Sequence, residues 1–345
     1  MLKRDKLEDI YSVVNDCLEQ MGDDGISTLN TFFQNRDISK LFKEQRDRLN
    51  KRDYHLLVAG ECSAGKSSLI NLILGEELLP HHALNTTSTI CEVKYGEKRN
   101  LVVHYRYDRD QQMKRPPTTI TLETEEEEGS GKSYQEQLTR FVCQDQEDEN
   151  KGSDILKVEI FWPHKLLKEG VIIIDSPGIG ESDEMDQVLM NYLPKAFAFI
   201  YVIDVSHAGG MQKYLKEMLM KILEKVQSLE GGTERCKTLA ECSLFVCNKW
   251  DQVARSEQEK VKTYVVQELK KCWPDANLNS QVVYMSILKA TEIQRYGGVT
   301  EEFNNLLLSL QQMIRRAIGI RLYNHWQWLD FVLRNIFQVA QFYTR

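Results

Sequence analysis

The sequence predicts an α/β fold in which a mainly parallel sheet is flanked by helices, with an appended helical bundle contributed by both chain ends. Three observations carry this. Short apolar runs alternate with helical stretches from Tyr54 to Ser286, and helical spacing governs the residues before and after that region. At 345 residues and 42% hydrophobic content, the chain fills one large domain plus a smaller appendage.

Residues 1–52 read as the N-terminal helices of a helical domain. Ile10, Val13, Val14, Cys17 and Met21 recur at helical spacing, GDDG at 22–25 breaks the pattern, and a second run passes through Leu41, Phe42 and Leu49. Residues 53–300 form the α/β domain. Its strands are HLLVAG, ICEVKYG, VIIIDSPG, AFIYVIDV, SLFVCNKWD and VVYMS, runs suited to burial on both faces of a parallel sheet. Near 107–153 the composition turns polar, with ETEEEEGSG and QDQEDENKGSD, and reads as a long solvated insertion. Residues 301–345 form a C-terminal helix whose stripe runs through Phe303, Leu306, Leu310, Ile314, Leu322, Trp326, Leu329, Leu333, Ile336 and Phe337. The stripe is expected to pack on the N-terminal helices rather than face a membrane or partner.

Composition narrows the partners. A formal net charge of -7 argues against nucleic acid, whose phosphates need a clustered basic surface. The eight cysteines include no C-x-x-C pair, and the N-terminus lacks the apolar core of a secretory signal, which points to the cytoplasm and to no zinc. No stretch approaches the roughly 20 apolar residues of a membrane-spanning helix. Membrane association is therefore expected to be peripheral, on an organelle surface, or outside this segment.

The chemistry sits at three strand ends. GECSAGKS at 60–67 follows an apolar strand and precedes an apolar helix, the setting of a phosphate-binding loop. Its nucleotide-binding residues are Glu61, Cys62, Ser63, Ala64, Gly65, Lys66, Ser67 and Ser68. Lys66 reaches the β- and γ-phosphates, and the Ser67 hydroxyl ligates Mg²⁺. GSGKS at 129–133 is a decoy, because it follows acidic residues and its first required glycine is Glu126. DSPG at 175–178 places Asp175 near the Mg²⁺ shell, through water, and lets Gly178 present its N–H to a γ-phosphate. NKWD at 248–251 reads guanine: Asp251 accepts from N1–H and N2–H₂, a donor pair adenine lacks. Asn248, Lys249 and Trp250 complete that motif, and Ser286, beside Met285, is placed at the remaining wall of the base pocket. A Mg²⁺-binding threonine is required between the first two motifs, with NTTST at 85–89 as candidate and PPTT at 116–119 as the poorer alternative.

With these motifs in hand, the chain resembles the dynamin superfamily of large GTPases, in its mitofusin and bacterial dynamin-like branch. The resemblance covers roughly residues 50–290 and rests on GECSAGKSSLINLILGEELLP, the TTST segment, DSPG and NKWD. It implies GTP hydrolysis with Thr87 as the switch threonine, and a monovalent cation, Na⁺ or K⁺, held with help from Ser63. It also implies a homodimer across the nucleotide face and helices from both ends that move with nucleotide state to remodel membranes. Two departures stand out: Cys62 replaces a common glutamine, and Ile179 follows Gly178 where Ras-like GTPases carry glutamine. Slow turnover alone and stimulation by a partner surface follow, with His81, His82, Arg106 and Arg109 as candidate trans-acting groups. Dynamin-like proteins continue into a stalk, whereas this chain stops within a helical pattern at QFYTR and reads as a GTPase core with its adjoining helices. An immunity-related GTPase and a nucleotide-binding scaffold with little hydrolysis are the competing readings.

Overall fold

The computed structural model describes residues 4–80, 89–106, 115–122, 133–143, 155–180, 182–229 and 232–343. The chain divides into two compact units, Asp53–Ile314 and a second made of Met1–Arg52 with Arg315–Arg345.

In the larger unit the described strands are β1 (Tyr54–Gly60), β2 (Ile90–Tyr95), β3 (Asn100–Tyr105), β4 (Thr118–Thr121), β5 (Ile155–Trp162), β6 (Val171–Asp175), β7 (Ala198–Asp204), β8 (Ser243–Asn248) and β9 (Val282–Tyr284). They form one sheet in the order β4-β3-β5-β2-β6-β1-β7-β8-β9. The β1–β6, β1–β7, β2–β5, β7–β8 and β8–β9 pairings are parallel, while β2–β6, β3–β4 and β3–β5 are antiparallel. The sheet is thus mainly parallel. Its six predicted runs are β1, β2 and β6 to β9.

The other three strands carry a different pattern. On β5, Val158, Ile160 and Trp162 are buried, while Lys157 and Glu159 alternate onto the opposite face. There they meet Glu92 and Lys94 of β2 in a ladder of ion pairs across the two strands, Lys94–Glu159 at 2.7 Å and Lys157–Glu92 at 3.1 Å. The region read as a solvated insertion also contributes ordered elements among its described residues. β4 pairs with β3, and a helix at Tyr134–Val142, opened by a Ser133–Glu136 capping box, buries Leu138 and Val142.

The strand ends position the site. Parallel register sets Val58 opposite Asp175, Gly60 opposite Val202 and Asp204 opposite Asn248, so the carboxyl ends of β1, β6, β7 and β8 share one edge. Ligands of open α/β sheets bind at that edge. Below it, Phe199 and Phe245 close on Trp273, the Phe199 ring stacked 5.8 Å away, in a fully buried core.

The smaller unit is helical: α1 (Arg4–Gln20), α2 (Gly22–Phe32), α3 (Ile38–Asn50) and the distal part of a long helix at Glu301–Tyr343. The helical pattern breaks at Met21–Gly22, as GDDG predicts, and the rest of GDDG forms the first turn of α2. Gly22 takes φ 66°, and Asp23 and Asp24 face the helix dipole. Leu7, Tyr11, Val14, Leu29 and Phe42 bury against Leu329, Val332, Ile336 and Val339. The apolar stripe is therefore turned from its predicted line: Val332 and Val339 belong to it, whereas Trp326 and Phe337 are exposed.

His325 is buried in this core, its Nδ1 2.8 Å from the Tyr11 hydroxyl. Burial, then the positive charge of Arg321 and Arg48, lowers its pKa from the ordinary 6.5 to about 4. The folded unit thus binds fewer protons than the unfolded chain between those values. Stability is fully present above the upper value and falls as pH drops through the window, by at most roughly 3 kcal/mol. Urea unfolding at about pH 7 and about pH 5 is expected to show that loss, and His325→Phe to reduce it. An unchanged acid loss in the variant contradicts this assignment.

Candidate functional site

The loop between β1 and the helix at Lys66–Leu74 has a backbone that few sequences tolerate. At Gly60 a Cβ would run into the Val202 carbonyl oxygen, and at Gly65, with φ 104°, it would lie 2.5 Å from Asn248 Nδ2. Ser63 also takes a left-handed φ of 55°. The loop thereby turns its chain so that the unpaired N–H groups of the first helical turn face outward. Lys66 curls over the loop, its Nζ donating to the carbonyls of Gly60 at 3.1 Å and Glu61 at 2.9 Å. Cys62 is half-buried and its Sγ lies 3.7 Å from Ser63 Oγ.

Beneath the loop, Ser67 Oγ donates to Asp175 Oδ2 at 2.7 Å. Asp175 is fully buried, and its other oxygen, Oδ1, has no hydrogen-bond partner among the described residues. Burial pushes its carboxyl up to about 6, although the Ser67 bond and the Lys66 charge pull the other way. An orphaned carboxylate oxygen beside a serine hydroxyl is a hard-donor set that fits Mg²⁺.

The DSPG segment is laced to the loop. Ser176 N donates to Val58 O at 3.2 Å and Ile179 N to Gly60 O at 3.1 Å, with Gly178 buried between them. The Ile179 side chain enters the hydrophobic core, so this position does not present a side chain to the phosphate side. Just beyond, Gly180 N donates to Asp186 Oδ1 at 3.1 Å, and the Tyr214 hydroxyl donates to Asp186 Oδ2 at 2.6 Å.

Asn248 joins the phosphate side to the base side. Its Nδ2 donates to Ala64 O at 2.8 Å and its Oδ1 accepts from Ile287 N at 3.0 Å. Lys249, in the left-handed region at φ 62°, forms an ion pair with Asp204, which also accepts from Ser206. A cavity of about 260 Å³ opens here, reached by Ser63, Gly65, Ser68, Lys249, Asp251 and Ser286. Ser286 also caps the helix at Ile287–Arg295, accepting from Lys289 N at 3.3 Å.

The structure therefore brings most of the predicted residues together, with two exceptions. Trp250 does not line this cavity. Its ring packs 4.7 Å from that of Tyr284, because the left-handed Lys249 turns the next residue away. Thr118 and Thr119 of PPTT lie on edge strand β4, separated from β1 by β3, β5, β2 and β6. Thr87, His81, His82, Arg109 and most of the acidic run fall outside the described residues. Arg106 donates to Ile155 O at 3.4 Å, along β5. Sequence reading missed Gln252, Leu288, Thr291 and Arg295, which also line the cavity. Only the serine cap at the end of VVYMS hinted that the following helix borders it.

A phosphate loop between strand and helix, a buried serine–aspartate pair and an asparagine–aspartate motif at one sheet edge define a P-loop protein of the guanine-nucleotide type. Residues 56–226 match the Dynamin family. The bacterial dynamin-like protein of Nostoc punctiforme is 21% identical over 73% of this chain and 34% of its own length. Mitofusin-2 of Rattus norvegicus is 29% identical over 63% of this chain and 25% of its own. A solved structure of an oligomerised bacterial dynamin pair shares the fold, with TM-score 0.57 at 17% identity over 96% of this chain and 48% of that one. The chain belongs to the dynamin superfamily of GTPases, in the branch of the bacterial dynamin-like proteins and mitofusins. It spans about a third or less of these two relatives.

Replacing Asn248 by alanine strands the Ala64 carbonyl and the Ile287 amide, at about 1–3 kcal/mol each. Asn248→Ala is expected to lower both thermal stability and affinity for a fluorescent GDP analogue. Wild-type affinity in that variant contradicts the tie.

Proposed function

We propose that this chain hydrolyses GTP to GDP and phosphate in a Mg²⁺-dependent reaction. The observation that carries this reading is the convergence of Lys66, Ser67, Asp175 and Asn248 on one sheet edge, where Ser67 is bonded to Asp175 and Asn248 to Ala64 across motifs and Lys66 closes over its own loop. Lys66 exchanges its two carbonyl partners for phosphate oxygens, and the loop N–H groups bind the remainder. Ser67, Thr87 and, through water, Asp175 hold Mg²⁺, which when bound neutralises charge on the β- and γ-phosphates. Asp251 accepts the guanine N–H pair, while Ser286 and the Lys249 stem flank the base. Gly178 donates its N–H to the γ-phosphate, so that loss of the phosphate releases the DSPG segment.

In hydrolysis a water oxygen bonds to the γ-phosphorus as the bond to the β–γ bridging oxygen breaks. Neither Ile179 nor Cys62 provides the side chain that orients this water in other GTPases. That task falls to Thr87, to main-chain carbonyls and to a second copy of the chain facing the nucleotide. Ser63, exposed at the loop tip, is the group we assign to a charge-compensating Na⁺ or K⁺. Movement of the helical unit with nucleotide state, acting peripherally on a membrane from the cytoplasm, completes the proposal. It is supported by the bacterial dynamin pair, described as sensing and tethering membranes. No helix among the described residues is long and apolar enough to cross a membrane.

Phosphate release from GTP is expected to vanish in Lys66→Ala, and its rate per chain to rise with protein concentration. A rate that stays flat over about a tenfold rise contradicts assembly-stimulated hydrolysis. Ile179→Gln is expected to destabilise by about 1–3 kcal/mol without accelerating hydrolysis, because the amide enters the core. Faster turnover in that variant places the side chain at the phosphate instead.

A further inference from the structure

Beside β9 lies a second open groove of about 550 Å³, and no residue lines both it and the nucleotide cavity. Its floor is the edge of the sheet, since β9 ends the strand order. Met285 N donates to Cys247 O of β8 at 3.0 Å, so alternation points Val283 toward β8 and turns the N–H and C=O of Tyr284 to the open side. One wall is the helix at Glu301–Tyr343, which presents Glu301, Asn305, Leu308 and Gln312 at helical spacing. Facing it are Trp250 and Tyr284, their rings 4.7 Å apart, with Lys262 Nζ 5.9 Å from each centroid.

We propose that this groove takes an extended peptide segment of another protein, which adds to β9 as a further strand and carries alternating basic and apolar side chains. An open strand edge beside a helix supplies main-chain pairing along one side and side-chain pockets along the other. Leu308, 49% exposed, and the two rings offer apolar contact. Charge selects the remaining chemistry. Glu301 and Glu302 are exposed in the first helical turn and form no ion pair with a described residue. Lys262, the one basic residue among the described lining, is already engaged with Glu259 at 2.8 Å. A segment with arginine or lysine at alternate positions therefore meets two uncompensated carboxylates. The plainer reading is a solvated crevice whose acids serve only the helix dipole. It predicts no main-chain pairing and no protection of Tyr284.

The probe is a fluorescein-labelled Arg-Val-Arg-Val-Arg-Val peptide, titrated by anisotropy against the 345-residue chain. Binding is expected, weakened about tenfold or more by the Glu301→Lys, Glu302→Lys double variant and likewise by N-methylation of alternate peptide amides. Reversal of two remote exposed acids, Glu217→Lys with Glu234→Lys, is expected to leave it unchanged. Bound peptide should slow amide exchange at Tyr284 and should not be displaced by a fluorescent GDP analogue. Absent binding, equal loss with the remote reversal, indifference to N-methylation, or displacement by the nucleotide each overturns the proposal.

Discussion

Asp175 is a carboxylate buried from solvent, bonded on one oxygen and with no partner among the described residues on the other, and the architecture around it follows from the need to place that group. A buried charge is costly unless compensated. Here the compensation available in the chain is one serine hydroxyl and the charge of Lys66, which leave the carboxyl well above its ordinary range. The arrangement is unfavourable for a folded core and favourable for a cation site. It requires β6 to sit between β1 and β2, so that the aspartate emerges under the loop rather than in solvent. The residues that hold it there are apolar, and its chemistry depends on their packing.

From that point the site is assembled by short ties among segments distant in sequence. Ile179 N fixes the DSPG segment to Gly60, and Asn248 fixes the guanine motif to Ala64 on one side and Ile287 on the other. Each tie uses a main-chain group that would otherwise be buried without a partner, so binding geometry and fold stability are coupled. The left-handed residues Ser63 and Lys249 serve the same end. Both place a turn where the chain leaves a strand and must present polar groups toward a ligand.

Much of this was legible in the sequence because its strongest signals are local. GECSAGKS, DSPG and NKWD each follow a doubly buried strand, and such strands read as continuous apolar runs. β3 and β5 are less legible because one face carries charge: Lys157 and Glu159 interrupt ILKVEIFW, and their partners Glu92 and Lys94 lie on the neighbouring strand, distant in sequence. Trp250 looked like a nucleotide contact by its place in NKWD, but the direction of a side chain after a left-handed residue is set by the turn, not by adjacency. GDDG marks the break between α1 and α2 because Gly22 accepts a left-handed φ, while its aspartates suit the first turn that follows. Hydrophobicity alone places Trp326 and Phe337 in the buried stripe, but a 43-residue helix drifts enough that period does not choose its inner face.

We propose that the buried Asp175 and Ser67 hold a cation for the phosphates of a guanine nucleotide. Calorimetric binding of a non-hydrolysable GTP analogue with and without Mg²⁺, in the wild-type chain and in Asp175→Asn, addresses it directly. Mg²⁺ is expected to tighten binding strongly in the wild type and little in the variant. An equal Mg²⁺-dependent gain in both would contradict it.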